Sequence, residues 1–261
     1  GDGPSAARNR GWRATDAPLI WFVDADCVAE PDALVRLRTM LEAWDASAVG
    51  GSYTNGRPDS LLATLIDDEI ADRHARMGMR VDYLATFNVL YRRDLLDKVG
   101  GFDETLARAE DVDLAWRALR AGAALYFEPR SRVAHFHEQR LWPYLRTQAA
   151  NGYWRAWLYG AHPSHASGDS YSGWLDHLPP ALALLALAGL AVAPLVGGYG
   201  PPLAAAMLVA GLQAPLASRI GRVRGSRHAI AFAAVGTLRS FARGVGLALG
   251  AADVLRTRSR Q

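Results

Sequence analysis

Between residues 178 and 218 the chain carries no charged side chain. A bilayer hydrocarbon core about 30 Å thick takes roughly 20 helical residues, so this stretch has room for two spans, about 178–197 and 201–218. Gly197-Gly198-Tyr199-Gly200 followed by Pro201-Pro202 marks the turn between them, because such residues interrupt regular structure. Everything that works in water must therefore fold from residues 1–160, which mix apolar and charged side chains as a soluble domain does, with 161–177 as a Ser/Gly/His-containing linker.

Charge then orients the tail. The turn at 197–202 is uncharged, whereas Arg219, Arg222, Arg224 and Arg227 crowd the next loop. Cytoplasmic loops are enriched in Lys and Arg, so this loop is expected in the cytoplasm of a plasma or bacterial inner membrane. A two-span hairpin then leaves the preceding domain on the same side. In the last apolar stretch, about 228–254, Arg239 and Arg243 lie four residues apart, with His228, Gly246 and Asp253 roughly along the same face. That pattern favours an amphipathic helix lying in the interface over a third span.

The net charge of +3 is mild, and Lys98 is the single lysine among the basic residues. No basic stripe interleaved with aromatics is present, so the sequence offers no nucleic-acid reader. One cysteine, Cys27, excludes an intrachain disulfide framework.

Along residues 1–160 the pattern predicts a strand at 19–23 that opens into Asp24-Ala25-Asp26, and a helix after Pro31 with Leu34, Leu37, Met40 and Leu41 on one face. A strand near 48–53, a helix near 60–77 and a strand at 83–91 follow. Next come a short helix closed by Gly100-Gly101, a helix over 111–120 ended by Gly122, and strands at 123–127 and 132–137. Such alternation predicts an α/β domain with a largely parallel sheet. Residues 141–159 read as an aromatic-rich helix with Pro143 in its first turn.

Three clusters carry chemistry. Asp24 and Asp26 stand two residues apart at a strand end, so both carboxylates point to one side, an arrangement that suits a hard divalent cation bearing phosphate oxygens. Alone, the pair serves equally well as loop-capping acids. Glu110-Asp111-Val112-Asp113 opens a helix, where Asp111 reads as a simple N-cap and Asp113 as the partner of Arg117 one turn later. His135 and His137 end a strand; either packs as an ordinary residue or completes a metal site with acids from other segments, an imidazole ligand favouring manganese over magnesium.

The residues from Gly3 to Gly11, followed by Ile20-Trp21-Phe22-Val23-Asp24-Ala25-Asp26, resemble the middle of a family 2 glycosyltransferase of the GT-A fold. Asn88 to Arg93, Gly100-Gly101-Phe102-Asp103-Glu104, the Glu110–Arg117 segment and Val133-Ala134-His135 resemble that family's later motifs in order and spacing. The resemblance covers residues 1 to about 157 and implies a Rossmann-like nucleotide-diphospho-sugar transferase domain whose first strand lies before residue 1. By the resemblance, Asp26 and His135 hold a divalent metal (Mn or Mg), with His137 the second candidate. Asp24, Arg8, Asn88 and Glu110 line the donor nucleotide, its phosphates and the pocket around them. Asp111 becomes the general base for the acceptor hydroxyl. Gln148, Trp154 and Arg155 resemble an acceptor-side motif at altered spacing. The implied reaction is inverting transfer from a nucleotide-diphospho-sugar to a hydroxyl, lipid-linked or in surface polysaccharide or glycolipid synthesis.

Two other readings compete. Asp24-Ala25-Asp26 after an apolar strand also resembles the first motif of haloacid-dehalogenase-type phosphatases, with Asp24 as nucleophile and Asp26 as acid; the Gly-Gly-Phe-Asp-Glu block and His135 then go unexplained. A membrane-anchored, non-catalytic remnant of a transferase is the third.

Overall fold

The computed structural model describes residues 3–259, which form two compact units. Among the described residues the first comprises 3–137 with Asp169–Tyr171 added, and the second 138–168 and 172–259.

In the first unit, helix α1 (Gly3–Arg13) leads into strand β1 (Leu19–Val23), the short β2 (Cys27–Ala29) and helix α2 (Ala33–Ala43). Strand β3 (Ala48–Asn55), helix α3 (Leu61–His74), strand β4 (Asn88–Arg92), helices α4 (Arg93–Val99) and α5 (Glu110–Arg120), and strand β5 (Leu125–His135) complete it. The sheet order is β1-β4-β3-β5-β2. Because β1 and β2 stand at opposite edges, the three residues joining them, Asp24-Ala25-Asp26, run across the ends of the strands between. Two backbone hydrogen bonds fix this crossing: Asp24 N–H donates to Phe87 O (3.4 Å) and Phe136 N–H to Asp26 O (3.0 Å).

The sheet corrects three expectations. Only β3 and β5 pair in parallel among the described strands; β1–β4, β3–β4 and β2–β5 are antiparallel. Alternating elements give parallel neighbours only when each helix returns the chain to the strand's starting end. Residues 75–87 contain no helix, and 79–81 instead bond to the start of β5 (Phe127 N–H to Met79 O, 2.8 Å; Val81 N–H to Leu125 O, 3.0 Å), so β4 enters from the other end. The two strands expected at 123–127 and 132–137 are one, β5, whose pairing with β3 slips between Gly50 and Ser52. The strand expected from residue 83 starts at Asn88.

Side-chain alternation along the strands builds a core on each face. Val89 and Tyr91 join Phe22, Leu96, Phe102, Leu114 and Phe127 on one face, whereas Leu90 and Val49 meet Leu37 and Leu41 of α2 on the other. The α1 helix is clamped to the loop after α4 by Asn9. Its amide donates to Phe102 O (2.8 Å) and Glu104 Oε1 (2.8 Å), and its oxygen accepts from Phe102 N–H (2.9 Å) and Trp12 Nε1–H (3.1 Å). Gly101 makes this possible: it has φ +77°, and a Cβ there would stand 2.5 Å from Asn9 Oδ1.

The second unit is helical: α6 (Leu141–Ala161), α7 (Leu178–Val196), α8 (Gly200–Gly211), α9 (Ala214–Arg224) and α10 (Ser226–Arg258). The segments Trp174–Leu195 and Ser226–Arg258 are each long and apolar enough to cross a membrane, with mean hydropathies of 2.0 and 1.2 in their best windows. The stretch expected as a second span is broken, α8 and α9 meeting at 41°. The arginine face assigned to an interfacial helix turns inward instead. Arg239 is 8% exposed, and Arg243 Nε donates to Gln148 Oε1 of α6 at 2.7 Å. Small residues on that face let α6 come close, Gly246 lying against the Ala149 carbonyl.

Candidate active site

The crossing segment and the two long-range elements beside it assemble the sequence-predicted acids. Arg8, on α1, places one guanidinium nitrogen 2.7 Å from Asp24 Oδ1 and the other 2.6 Å from Glu110 Oε1. This bracket ties the end of β1 to the first turn of α5, where Asp111 sits half-buried. Burial alone would lower the guanidinium's pKa, but the hydrogen bonds and charges of Asp24 and Glu110 outweigh it and raise it. Charge-assisted pairs of this kind are the strong class of hydrogen bond. Phe102 packs under the same guanidinium, 5.6 Å from ring centroid to Arg8 Cζ.

On the far side of the crossing, His135 Nε2 lies 3.4 Å from Asp26 Oδ2. The antiparallel β2–β5 pairing sets Cys27 directly opposite His135, and directly opposed residues project to the same side of a sheet. One ligand atom from each of Asp26, Cys27 and His135 lies within 4.8 Å of the others. Asp26 is 58% exposed at its side chain and so open to a ligand. Burial, then the neighbouring His137, depress the His135 pKa, with Asp26 opposing; the imidazole is thereby held neutral, the form that ligates metals. Burial, then Asp26 and Asp24, push the Cys27 thiol up to about 12. This set fits a divalent cation: an imidazole from the end of β5 and an exposed carboxylate from the segment joining β1 to β2 converge, and His135 Nδ1 finds no hydrogen-bond partner in the protein.

His137 lies behind His135, their rings 4.3 Å apart, and is 4% exposed with Nε2 3.7 Å from Asp67 Oδ1. Tyr53 packs edge-on beside both, 4.8 Å from the His135 ring and 5.6 Å from the His137 ring, and stacks 3.6 Å from that of Phe87. Burial raises the Tyr53 hydroxyl well above its ordinary range. Tyr83, whose pKa is raised by burial and then by the charge of Asp111, packs 5.1 Å from Tyr171. The Asp169–Tyr171 strap is held there by Asp82, whose carboxylate accepts from Ser170 N–H (2.6 Å) and Oγ–H (2.5 Å), and by Arg73 Nη1 donating to Tyr171 O (3.2 Å).

Other expected residues stand elsewhere. Asn88 is wholly buried: its amide donates to Ser131 O and Oγ, and its oxygen accepts from Trp21 Nε1–H (3.0 Å). It ties β1, β4 and β5 together and faces no open space. Asp113 pairs with Arg117 Nε at 2.7 Å, as the helix spacing requires. Gln148, Trp154 and Arg155 all lie on α6 in the second unit, where Gln148 accepts from Arg243, Trp154 packs against Tyr153 and Trp157, and Arg155 donates to Ser172 Oγ. Sequence reasoning did not find Cys27 as a site residue, nor Asn9, Tyr53 or Asp67. Cys27 carried one signal, its place next to Asp26; its partner strand was not readable.

The sequence matches the family model described as glycosyltransferase-like family 2 over residues 2–153. It is 31% identical over 210 residues to a pre-mycofactocin glycosyltransferase of Mycobacterium tuberculosis, an alignment covering 75% of this chain and 44% of that protein. It is 34% identical over 134 residues to the succinoglycan biosynthesis protein ExoU of Rhizobium meliloti, covering 46% of this chain and 39% of that protein. The chain thus spans less than half the length of these curated relatives. The mannosyltransferase PcManGT from Pyrobaculum calidifontis, solved with GDP-Man and Mn2+, shares its fold with a TM-score of 0.53 at 17% identity, over 96% of this chain and 66% of that one.

Proposed function

Because the chain belongs to the family 2 glycosyltransferases, we propose that its first unit performs metal-dependent, inverting transfer of a sugar from a nucleotide-diphospho-sugar to a hydroxyl. Membership removes the phosphatase reading of Asp24 and Asp26. The observation that carries the proposal is the Arg8 bracket, 2.7 Å to Asp24 and 2.6 Å to Glu110, which sets the acids after β1 beside the helix start that bears Asp111.

Asp26 and His135 would hold Mn2+ or Mg2+, which when bound neutralises charge building on the departing diphosphate. Arg8 is the nearby cation that remains fixed throughout. Bonded to two carboxylates, it orients Asp24 toward the nucleotide side and holds Glu110 as the wall between donor and acceptor. Asp111 accepts the proton of the acceptor hydroxyl at a carboxylate oxygen. Its place in the first turn of α5 favours the ionised form, which is the form a base needs. One base and no enzyme nucleophile means a single in-line displacement, so the anomeric centre inverts.

Two apolar helices long enough to cross a membrane support an acceptor that is itself held at a membrane, a lipid-linked sugar or a growing surface polysaccharide. The name of the ExoU relative, a succinoglycan biosynthesis protein, points the same way. The arginines at 219–227 support a cytoplasmic active site.

The test is sugar transfer by the full protein in membranes, with product anomers read by proton NMR. Transfer from a nucleotide sugar with inversion, lost on chelating divalent metal and restored by Mn2+, supports the reading. Retention, or transfer indifferent to chelation, overturns the corresponding part. Nucleotide-sugar binding without turnover would favour the non-catalytic remnant.

A further inference from the structure

The metal-site reading places Asp26 and His135 around one cation, and the inference here rests on it. A third donor atom stands in the same place. Cys27 opens β2 directly opposite His135 in the antiparallel pair, so its thiol and the imidazole emerge on one side of the sheet. Its Sγ lies 3.9 Å from Asp26 Oδ1, and ligand atoms from all three residues lie within 4.8 Å of one another.

These dimensions match a particular coordination geometry. Nitrogen and oxygen donors about 2.0–2.2 Å from a tetrahedral zinc ion stand roughly 3.3–3.5 Å apart. His135 Nε2 and Asp26 Oδ2 are 3.4 Å apart. A carboxylate, an imidazole and a thiol are also a mixed, partly soft donor set, which thiophilic cations occupy in preference to manganese or magnesium.

We propose that Asp26, Cys27 and His135 form a three-donor site for a thiophilic divalent cation of the zinc class, overlapping the place where Mn2+ or Mg2+ would serve transfer. Binding forms a metal–sulfur bond and releases the thiol proton to solvent. Three protein donors leave a tetrahedral ion one open position, whereas chelating a diphosphate takes two. Zinc-class occupancy is therefore inhibitory, and the chain distinguishes its working metal by coordination number rather than by affinity alone.

Cys27 is the chain's single cysteine, which makes the test unambiguous. Tag-free full-length protein in detergent is titrated with Co2+ as a spectroscopic stand-in for zinc. The expected result is visible d–d bands of tetrahedral intensity together with a near-ultraviolet sulfur-to-cobalt charge-transfer band. Cys27→Ser loses the charge-transfer band and keeps the d–d bands. In wild type, Zn2+ displaces Mn2+ followed by electron paramagnetic resonance, and Cys27→Ser weakens Zn2+ binding by at least the roughly 10–100-fold that loss of a mere outer-shell partner costs. Cobalt bound in wild type without a charge-transfer band overturns the thiol donor and leaves the Asp26–His135 site standing. A band that survives in Cys27→Ser overturns it equally. No cobalt binding to protein whose circular dichroism shows it folded overturns the metal site itself. The wild-type spectrum decides the matter even if the variant misfolds.

Discussion

Arg8 and Asn9 are neighbours on α1 with opposite duties. Arg8 points to the chemistry and brackets Asp24 and Glu110, while Asn9 points into the core and fastens the loop that carries Gly101 and Phe102. Replacing Asn9 with Leu strands the Phe102 N–H and the Trp12 Nε1–H in a buried place; each unsatisfied group costs about 1–3 kcal/mol, so denaturant melts should show a loss of about 3 kcal/mol. Asp111→Asn keeps shape and removes the base. Its kcat should fall by roughly 10²–10⁴-fold with the donor KM unchanged; a KM rise at constant kcat would make Asp111 a binding residue. The sequence made the acids legible because their types and spacing are themselves the signal. It misled at Asn88, where the motif position is kept but the amide is consumed by Ser131 and Trp21. Cys27 offered only its place next to Asp26, because its meaning depends on the strand opposite, which no local pattern reveals.

At the scale of elements, helices α2 to α5 and the strand β1 could be read from the sequence, and so could the apolar helix α7; helix α1, over Gly3–Arg13, was not foreseen. Strand direction could not. The turn from parallel to antiparallel is made by residues 75–87, whose irregular path carries no period to read. Helix α10 shows a second kind of miss. Two arginines on one face suggested an interface, but the same face carries the glycines that let α6 approach, and packing won. Gly246→Val places branched carbon against the Ala149 carbonyl and should destabilise the α6–α10 pair by about 1–3 kcal/mol, the range for overpacking. Gly211, on α8, has open space where a Cβ would go, so Gly211→Ala in the same detergent melt should be neutral or stabilising. Equal losses at both positions would mean that α6 and α10 are not closely packed.

For the molecule as a whole, the two units differ in what they bury and should respond to different perturbations. The first unit keeps His74 in an aromatic cage of Tyr53, Phe87, Phe127 and Tyr171. Burial, with Asp67 opposing, lowers its pKa from 6.5 to about 4. Between these values the unfolded chain binds a proton that the folded chain refuses, so stability is full above pH 6.5 and falls as the pH drops toward 4. The loss is about 3 kcal/mol by linkage, read as a pH-dependent denaturant midpoint that His74→Phe should flatten. The central claim is that the first unit is a metal-dependent transferase with its base on α5. The most direct test assays Mn2+-dependent transfer from a panel of nucleotide sugars by the full protein in membranes, beside Asp26→Asn and Asp111→Asn. The account predicts transfer by the wild type, loss of Mn2+ binding in Asp26→Asn, and loss of turnover with retained donor binding in Asp111→Asn. Full turnover by either variant would contradict it.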